Sequence, residues 1–360
     1  MNLSIAIVGL PNVGKSTLFN ALVESSKAQA ENYPFCTIEP NVGIVEVPDE
    51  RLEKLAIVSK SQKIIPAAIE FVDIAGLVKG ANKGEGLGNQ FLAHIRECDA
   101  VAMVVRFFQD EKVVHVEGKI DPASDIQTIE TEIQLADLAT LEKYLHNLEK
   151  DARNNKEAQK TLGIFQKIKS ALDDGKNARE VDLNEDELKL IKNYSLISMK
   201  PVLYVANCSE AQLVNFSEIT KEKNLEKYNF IPISAKIESE LNELPKEERK
   251  EFLVSLNIAD SGLNRLIKEA YKTLGLITFF TSGEPETRAW TTKLNAKAPQ
   301  AAGVIHTDFQ RGFIAAEIIP WQTLVETGGW MSARAKGLVK TEGKEYIVKD
   351  GDTILFKFNV

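Results

Sequence analysis

The sequence predicts an α/β protein whose first part rests on a predominantly parallel sheet, interrupted by an inserted antiparallel helical hairpin and followed by a small α+β unit. Three observations carry this expectation. Apolar runs rich in Val, Ile and Phe alternate with helical patterns early in the chain and return after residue 200; continuous apolar strands separated by helices belong to parallel sheets covered on both faces. Between them lies a highly charged stretch with leucines at helical spacing. Beyond Gly275 the segments shorten and turn β-rich.

Bulk properties set the frame. At 360 residues the chain exceeds the size at which one core keeps growing, so two or three domains are expected. The formal net charge is −8, and no run of about eighteen apolar residues occurs, which indicates a soluble protein with no membrane span. The opening M-N-L-S-I-A-I-V-G-L has neither a basic leader nor a small-residue cleavage site and reads as a strand rather than a signal peptide. Three cysteines cannot form a disulfide framework, which favours a reducing, cytoplasmic setting. The acidic balance argues against indiscriminate nucleic-acid binding, and free DNA is not an expected partner, although a local basic patch can still dock RNA.

In chain order, Leu3 to Val8 reads as the first strand, and the turn Gly9 to Ser16 leads into the helical T-L-F-N-A-L-V. Further strands are expected at Ala67 to Val72, Ala100 to Phe107, Val202 to Ala206 and Phe230 to Ile233. From Asp125 to about Lys200, Leu138, Leu141, Leu145 and Leu148 form one stripe; Leu162, Phe165, Ile168 and Leu172 form a second after a polar N-N-K. Two antiparallel helices are the simplest reading, and periodicity leaves open whether they pair as a hairpin or simply cover the sheet. The helical signal of S-G-L-N-R-L-I-K-E-A-Y-K-T-L-G stops at Gly275. The strands I-T-F-F-T-S-G, R-A-W-T-T-K-L and E-Y-I-V-K-D-G-D-T-I-L-F-K-F follow, with Asp350-Gly351 marking a hairpin turn. The expected division is 1–124 with 200–276, an insertion at 125–199, and a C-terminal unit at 277–360.

G-L-P-N-V-G-K-S matches the Gly-x4-Gly-Lys-Ser pattern directly after a strand and before a helix. Glycines let the backbone wrap phosphates, successive N–H groups point inward, and the helix N-terminus adds partial positive charge. Asn12, Val13, Gly14, Lys15, Ser16 and Thr17 are therefore expected around a nucleotide, with Lys15 on the β- and γ-phosphates and Ser16 on Mg²⁺. Thr37, in N-Y-P-F-C-T-I-E-P-N, is placed to close on the metal and the γ-phosphate. In F-V-D-I-A-G, Asp73 ends a strand and can hold a metal-bound water, while the Gly76 amide can sense the γ-phosphate. The loop behind it carries Gly80, Gly84, Gly86 and Gly88, which implies a segment that orders only when held.

Position 77 is Leu, where many GTPases place the Gln that orients water. Leu cannot hydrogen-bond water, so slow turnover is expected. His115 lies in the connection after the strand ending at Phe107. Ligands bind beyond the carboxyl ends of parallel strands, so His115 is a candidate to approach the γ-phosphate, the alternative being a loop histidine of no catalytic role. His94, on a helix, reads as structural or as part of the switch.

Base recognition falls to Asn207-Cys208-Ser209-Glu210, where a guanine reader would carry Asn-Lys-x-Asp. There the Asp accepts hydrogen bonds from guanine N1–H and N2 and the Lys stem covers the base. Adenine presents an acceptor at N1, so a misplaced carboxylate leaves buried polar groups unpaired. With Cys208 for Lys and the longer Glu210 for Asp, relaxed specificity or adenine preference is expected over strict guanine selection. Ser234, Ala235 and Lys236 supply the remaining base-side loop, whose backbone N–H can contact a purine acceptor.

Taken in order, these motifs resemble a translation-factor-related P-loop GTPase and, more narrowly, the YchF or Obg-like ATPase family. The match runs through G-L-P-N-V-G-K-S-T, N-Y-P-F-C-T-I-E-P-N, F-V-D-I-A-G-L-V-K-G-A-N-K-G-E-G-L-G-N-Q-F-L and L-G-L-I-T-F-F-T-S-G-E-P-E-T-R-A-W-T. The resemblance implies a G domain with a helical insertion and a C-terminal TGS domain of β-grasp, ubiquitin-like type. It also implies ATP hydrolysis with GTP bound more weakly, ribosomes or ribosomal subunits as partners, and a role in translation or stress responses. By the same resemblance His115 substitutes for the missing Gln, Asn12 admits K⁺ beside Mg²⁺, and Cys36 is the redox candidate, with an inert thiol as the alternative. Two rival readings remain: an ATP-sensing scaffold in which binding rather than hydrolysis matters, and a GTPase of ribosome assembly.

Overall fold

The computed structural model describes residues 3–26, 41–74, 89–110, 119–255, 258 and 260–359. In the first part of the chain its strands are β1 (Ser4–Val8), β2 (Val42–Glu46), β3 (Lys63–Ile65), β4 (Ala68–Asp73), β5 (Ala100–Arg106), β6 (Val202–Asn207) and β7 (Ile231–Ile233). Six of these form one sheet in the order β2-β4-β1-β5-β6-β7. Neighbours run parallel except β2, which is antiparallel to β4. Every residue of β5 is buried, as an unbroken A-V-A-M-V-V-R run at the centre of a doubly covered sheet should be. The edge strand β2 was not anticipated. Its Gly43 lies against the Phe19 and Val23 side chains of the helix Lys15–Ser26, and that close approach removes one of the side chains that would have marked a strand.

The charged stretch forms two helices, Pro122–Asp151 and Lys156–Asp173. Each begins on a side-chain cap: Asp121 accepts from the Ala123 and Ser124 amides, and Asn155 from those of Glu157 and Ala158. Both sequence readings hold, on different stretches. Ile126, Ile129 and Ile133 belong to the core beneath the first sheet, whereas Leu141, Leu148, Phe165, Ile168 and Leu172 make a separate core between the two helices. A 30-residue helix extends about 45 Å, longer than the sheet it starts on. Its foot is tied to β6 by Glu130, which accepts from Arg179 Nη2 at 2.7 Å and from the Tyr204 hydroxyl at 2.8 Å.

The helix Gly262–Thr273 stops before Gly275, whose φ is +63°. The strands β8 (Leu276–Ser282), β9 (Glu286–Lys293), β10 (Phe313–Pro320), β11 (Lys340–Glu342) and β12 (Asp352–Phe358) follow. They assemble as β11-β10-β12-β8-β9, with β12 parallel to β8, the other neighbours antiparallel, and the helix Ala298–Ile305 packed on a core of its own. This is the β-grasp arrangement. The hairpin expected at Asp350-Gly351 is not formed. Gly351 turns the chain at φ +87°, but the Asp352 carboxylate accepts from Lys349 N and the Tyr346 hydroxyl, and Val348 N donates to Ala296 O. The preceding segment is thus held away from β12, which pairs with β10 and β8 instead.

One strand of this second sheet comes from far away. β3 lies parallel to β9 at its edge, joined by hydrogen bonds of Ser59 to Ser282 and of Ser61 to Gly283 O and Thr287. Nearby, Arg51 binds both Asp49 and Asp350 and sits over the Phe280 ring. Among the described residues no helix is long and apolar enough to cross a membrane.

Candidate nucleotide-binding site

The phosphate loop leaves β1 at the carboxyl end of the sheet and enters the helix Lys15–Ser26. Its shape requires glycine at position 14: φ there is +96°, and a β-carbon would run into the Asn207 amide. Asn12 also takes a left-handed conformation, φ +61°. Lys15 is 7 % exposed and its ammonium donates to Leu10 O at 2.6 Å, closing the loop on itself. Burial lowers its pKa to about 8, with the Asp73 carboxylate acting the other way. Asp73 ends β4 in register with Ile7 of β1 and is buried, which brings it beside the loop as the sequence spacing requires. Ser16 and Thr17 stand exposed on the first helical turn.

These residues fit a magnesium ion. A serine hydroxyl, one carboxylate and substrate phosphates are hard oxygen donors, and Mg²⁺ is ordinarily held by one or two carboxylates together with phosphates and water. Among the described residues there is no cluster of three or more His, Cys, Asp or Glu that would hold a metal without substrate.

The base edge is built at the ends of β5, β6 and β7. Asn207 closes β6 opposite Arg106 of β5 and Ile233 of β7. Its Nδ2 donates to Val13 O at 2.8 Å, and its Oδ1 accepts from Ala235 N at 3.1 Å. A single side chain therefore braces the phosphate loop and the base-side loop together, leaving one amide hydrogen for a ligand. Of the base-side loop amides expected to offer an N–H to a purine acceptor, that of Ala235 is taken by Asn207; the Lys236 amide follows it in the first turn of the helix Ala235–Glu243, where amides lack intrahelical partners. Ser234 caps that helix.

Cys208 differs from its expectation. Placed in the sequence where a lysine stem would cover the base, its side chain is 2 % exposed and lies in the main core. Its thiol donates to Ala206 O and its amide to Ile233 O, and burial pushes the thiol up to about 12. Glu210 and Lys236 are exposed. Cys36, Thr37, Gly76, Leu77, His115 and the glycines from Gly80 to Gly88 lie outside the described residues. His94 is half-buried, 3.8 Å from Glu97 on its own helix.

Two residues of this edge were missed by sequence reasoning. Arg106 is 2 % exposed, the largest fully buried side chain among the described residues, and donates to Phe108 O and Asp110 O. A charge ending an otherwise apolar strand was its signal. Gln212 joins Ser209 to Phe107, and its signal was the Ser-x-x-Gln capping pattern.

Comparison with known proteins gives matches over the whole chain. Residues 4–129 match the family described as 50S ribosome-binding GTPase, and residues 276–359 match the YchF GTPase C-terminal family, described as a protein of unknown function. The ribosome-binding ATPase YchF of Bacillus subtilis is 51 % identical over 100 % of both chains; that of Haemophilus influenzae is 49 % identical, again over 100 % of both. The solved structure of the Schizosaccharomyces pombe YchF GTPase superposes with a TM-score of 0.89 at 38 % identity, covering 99 % of this chain and 98 % of that one. The names of these relatives divide between ATPase and GTPase, which is the division the base edge addresses.

Proposed function

The chain belongs to the YchF family, and from that premise we propose that it binds ATP in preference to GTP, hydrolyses it slowly, and uses its nucleotide state to control docking on the ribosome. The observation that carries this reading is Asn207, which fastens an intact phosphate loop to a base edge whose Lys and Asp positions hold a buried Cys208 and an exposed Glu210. Lys15 turns from Leu10 O to the β- and γ-phosphate oxygens, and the loop amides complete the cradle. Ser16, Thr37 and, through water, Asp73 would hold Mg²⁺, which when bound would neutralise charge on the phosphate oxygens, and Asn12 is the residue that would admit K⁺ as well. A water oxygen attacks the γ-phosphorus as the bond to the β,γ-bridging oxygen breaks, giving ADP and phosphate. His115 orients that water in place of the Gln that Leu77 replaces.

Contacts of Thr37 and Gly76 with the γ-phosphate order the two loops, and loss of phosphate releases them. Cys36, beside Thr37, is the residue through which oxidation would reach the site. Residues 1–124 with 200–276 act as the nucleotide-binding domain. The insertion at 125–199 and the unit at 277–360 carry the change to the partner, in the cytoplasm. Cosedimentation with ribosomes tests the cycle: binding should differ between an ATP analogue and ADP, and equal binding in both states contradicts it.

A further inference from the structure

Gln212 takes no part in any nucleotide motif, yet it holds the turn that carries Glu210. It is the third residue of the short helix Glu210–Val214, and its Oε1 accepts from the Ser209 amide at 2.9 Å and the Ser209 hydroxyl at 3.2 Å. That much is ordinary helix capping. Its other end does something capping does not require: Nε2 leaves the helix and donates to Phe107 O at 2.9 Å. The same two segments meet again through Asn207 O, which accepts from Phe107 N at 2.9 Å and Phe108 N at 3.3 Å.

The far side of this bridge is firm. The Phe107 ring packs edge-on against Phe216 and Phe230, with centroids 5.3 and 5.2 Å away, and buried Arg106 collects Phe108 O at 3.1 Å and Asp110 O at 3.3 Å. Asn207 and Cys208 are fixed by their own contacts. Ser209 and Glu210 are then held to the end of β5 by Gln212.

We propose that Gln212 is a positioning residue for purine selection: its bridge from Ser209 to Phe107 fixes the turn bearing Glu210 so that the base edge accepts adenine and leaves guanine unpaired. The proposal rests on the ATP preference put forward above. Discrimination by unpaired polar groups needs those groups in one place. An exposed carboxylate on a five-residue helix with a loose turn would swing to meet either base.

The test uses the full chain and measures dissociation constants for ATP, GTP and inorganic triphosphate, a probe without a base, alongside thermal unfolding. Gln212→Glu keeps an acceptor for Ser209 but loses the donor to Phe107; Gln212→Leu loses both. Both variants should lose about tenfold of the ATP-over-GTP ratio, the worth of one hydrogen bond, with inorganic triphosphate affinity unchanged. Gln212→Glu leaves Phe107 O without its donor and should unfold a little below the parent's temperature, still in one cooperative transition. An unchanged ratio in Gln212→Glu overturns the proposal, whether or not Gln212→Leu folds. Equal weakening of all three ligands overturns it too, because it assigns Gln212 a general structural role. A parent protein with no ATP preference removes the reading on which the proposal rests, a failure visible before any variant is measured.

Discussion

At the phosphate end the chain works with backbone: Gly14 at φ +96°, Asn12 at φ +61°, and a buried Lys15 held on Leu10 O between them and Asp73. At the base end it works with side chains: Asn207 joined to Val13 and Ala235, Gln212 joined to Ser209 and Phe107, and Glu210 exposed. A cradle made of amides tolerates few residue types at fixed spacing, because each glycine answers a steric demand. An edge made of side chains can change its chemistry while the cradle stays intact. Asn207 is the joint between the two, so in the proposed reading a purine at one end and phosphates at the other would be linked through one amide group.

The largest effect that would break this contrast is at Lys15. Lys15→Ala should abolish ATP binding in a direct titration, and any retained micromolar affinity would refute the phosphate-loop assignment. Next comes the joint. Asn207→Ala strands Val13 O and Ala235 N in a buried setting and should cost about 2–4 kcal/mol in urea unfolding, with ATP, ADP and GTP all weakened together. Loss confined to one nucleotide would show that Asn207 reads the base and does not brace the loops.

A third prediction concerns how the base end is held from behind. Glu238, 6 % exposed on the helix after Ser234, accepts from Gly262 N at 2.6 Å at the start of the helix Gly262–Thr273. Burial raises its pKa to about 7. The folded state therefore binds a proton that the unfolded chain has released, so this contribution is whole below the unfolded value and is lost as pH rises through about 7. Stability should fall by on the order of 2 kcal/mol across that window, and Glu238→Gln should flatten the fall. The smallest expected change is at Glu210. Glu210→Ala should leave the melting temperature unmoved, since the side chain is exposed, and shift the ATP-to-GTP ratio by about tenfold or less.

The same contrast explains what could be read from the sequence. The placement of the Gly9 to Ser16 turn, Asp73 and Asn207 at strand ends was legible because an apolar run that breaks into Gly-x4-Gly-Lys-Ser, Asp or Asn marks where a strand gives way to a turn. The leucine stripes announced the hairpin, although periodicity could not say that the first turns of the helix Pro122–Asp151 face the sheet and the later ones face the helix Lys156–Asp173. β3 was invisible: a three-residue K-I-I has no alternation, and its partner β9 lies more than two hundred residues away in sequence. Asp350-Gly351 misled because a turn signal fixes a bend and not the strand that pairs beyond it. The Asn207 hydrogen bond to Ala235 depends on two strand ends brought together only by folding. Gln212 carried a capping pattern, but its reach to Phe107 depends on the same meeting of strands.

The central claim is that the phosphate cradle is kept while the purine edge is changed. Paired equilibrium titrations of the full chain with ATP and GTP, in Mg²⁺ and otherwise identical buffer, test it most directly. The account predicts that ATP binds at least tenfold more tightly, about 1.4 kcal/mol; GTP binding as tight as ATP or tighter would contradict it.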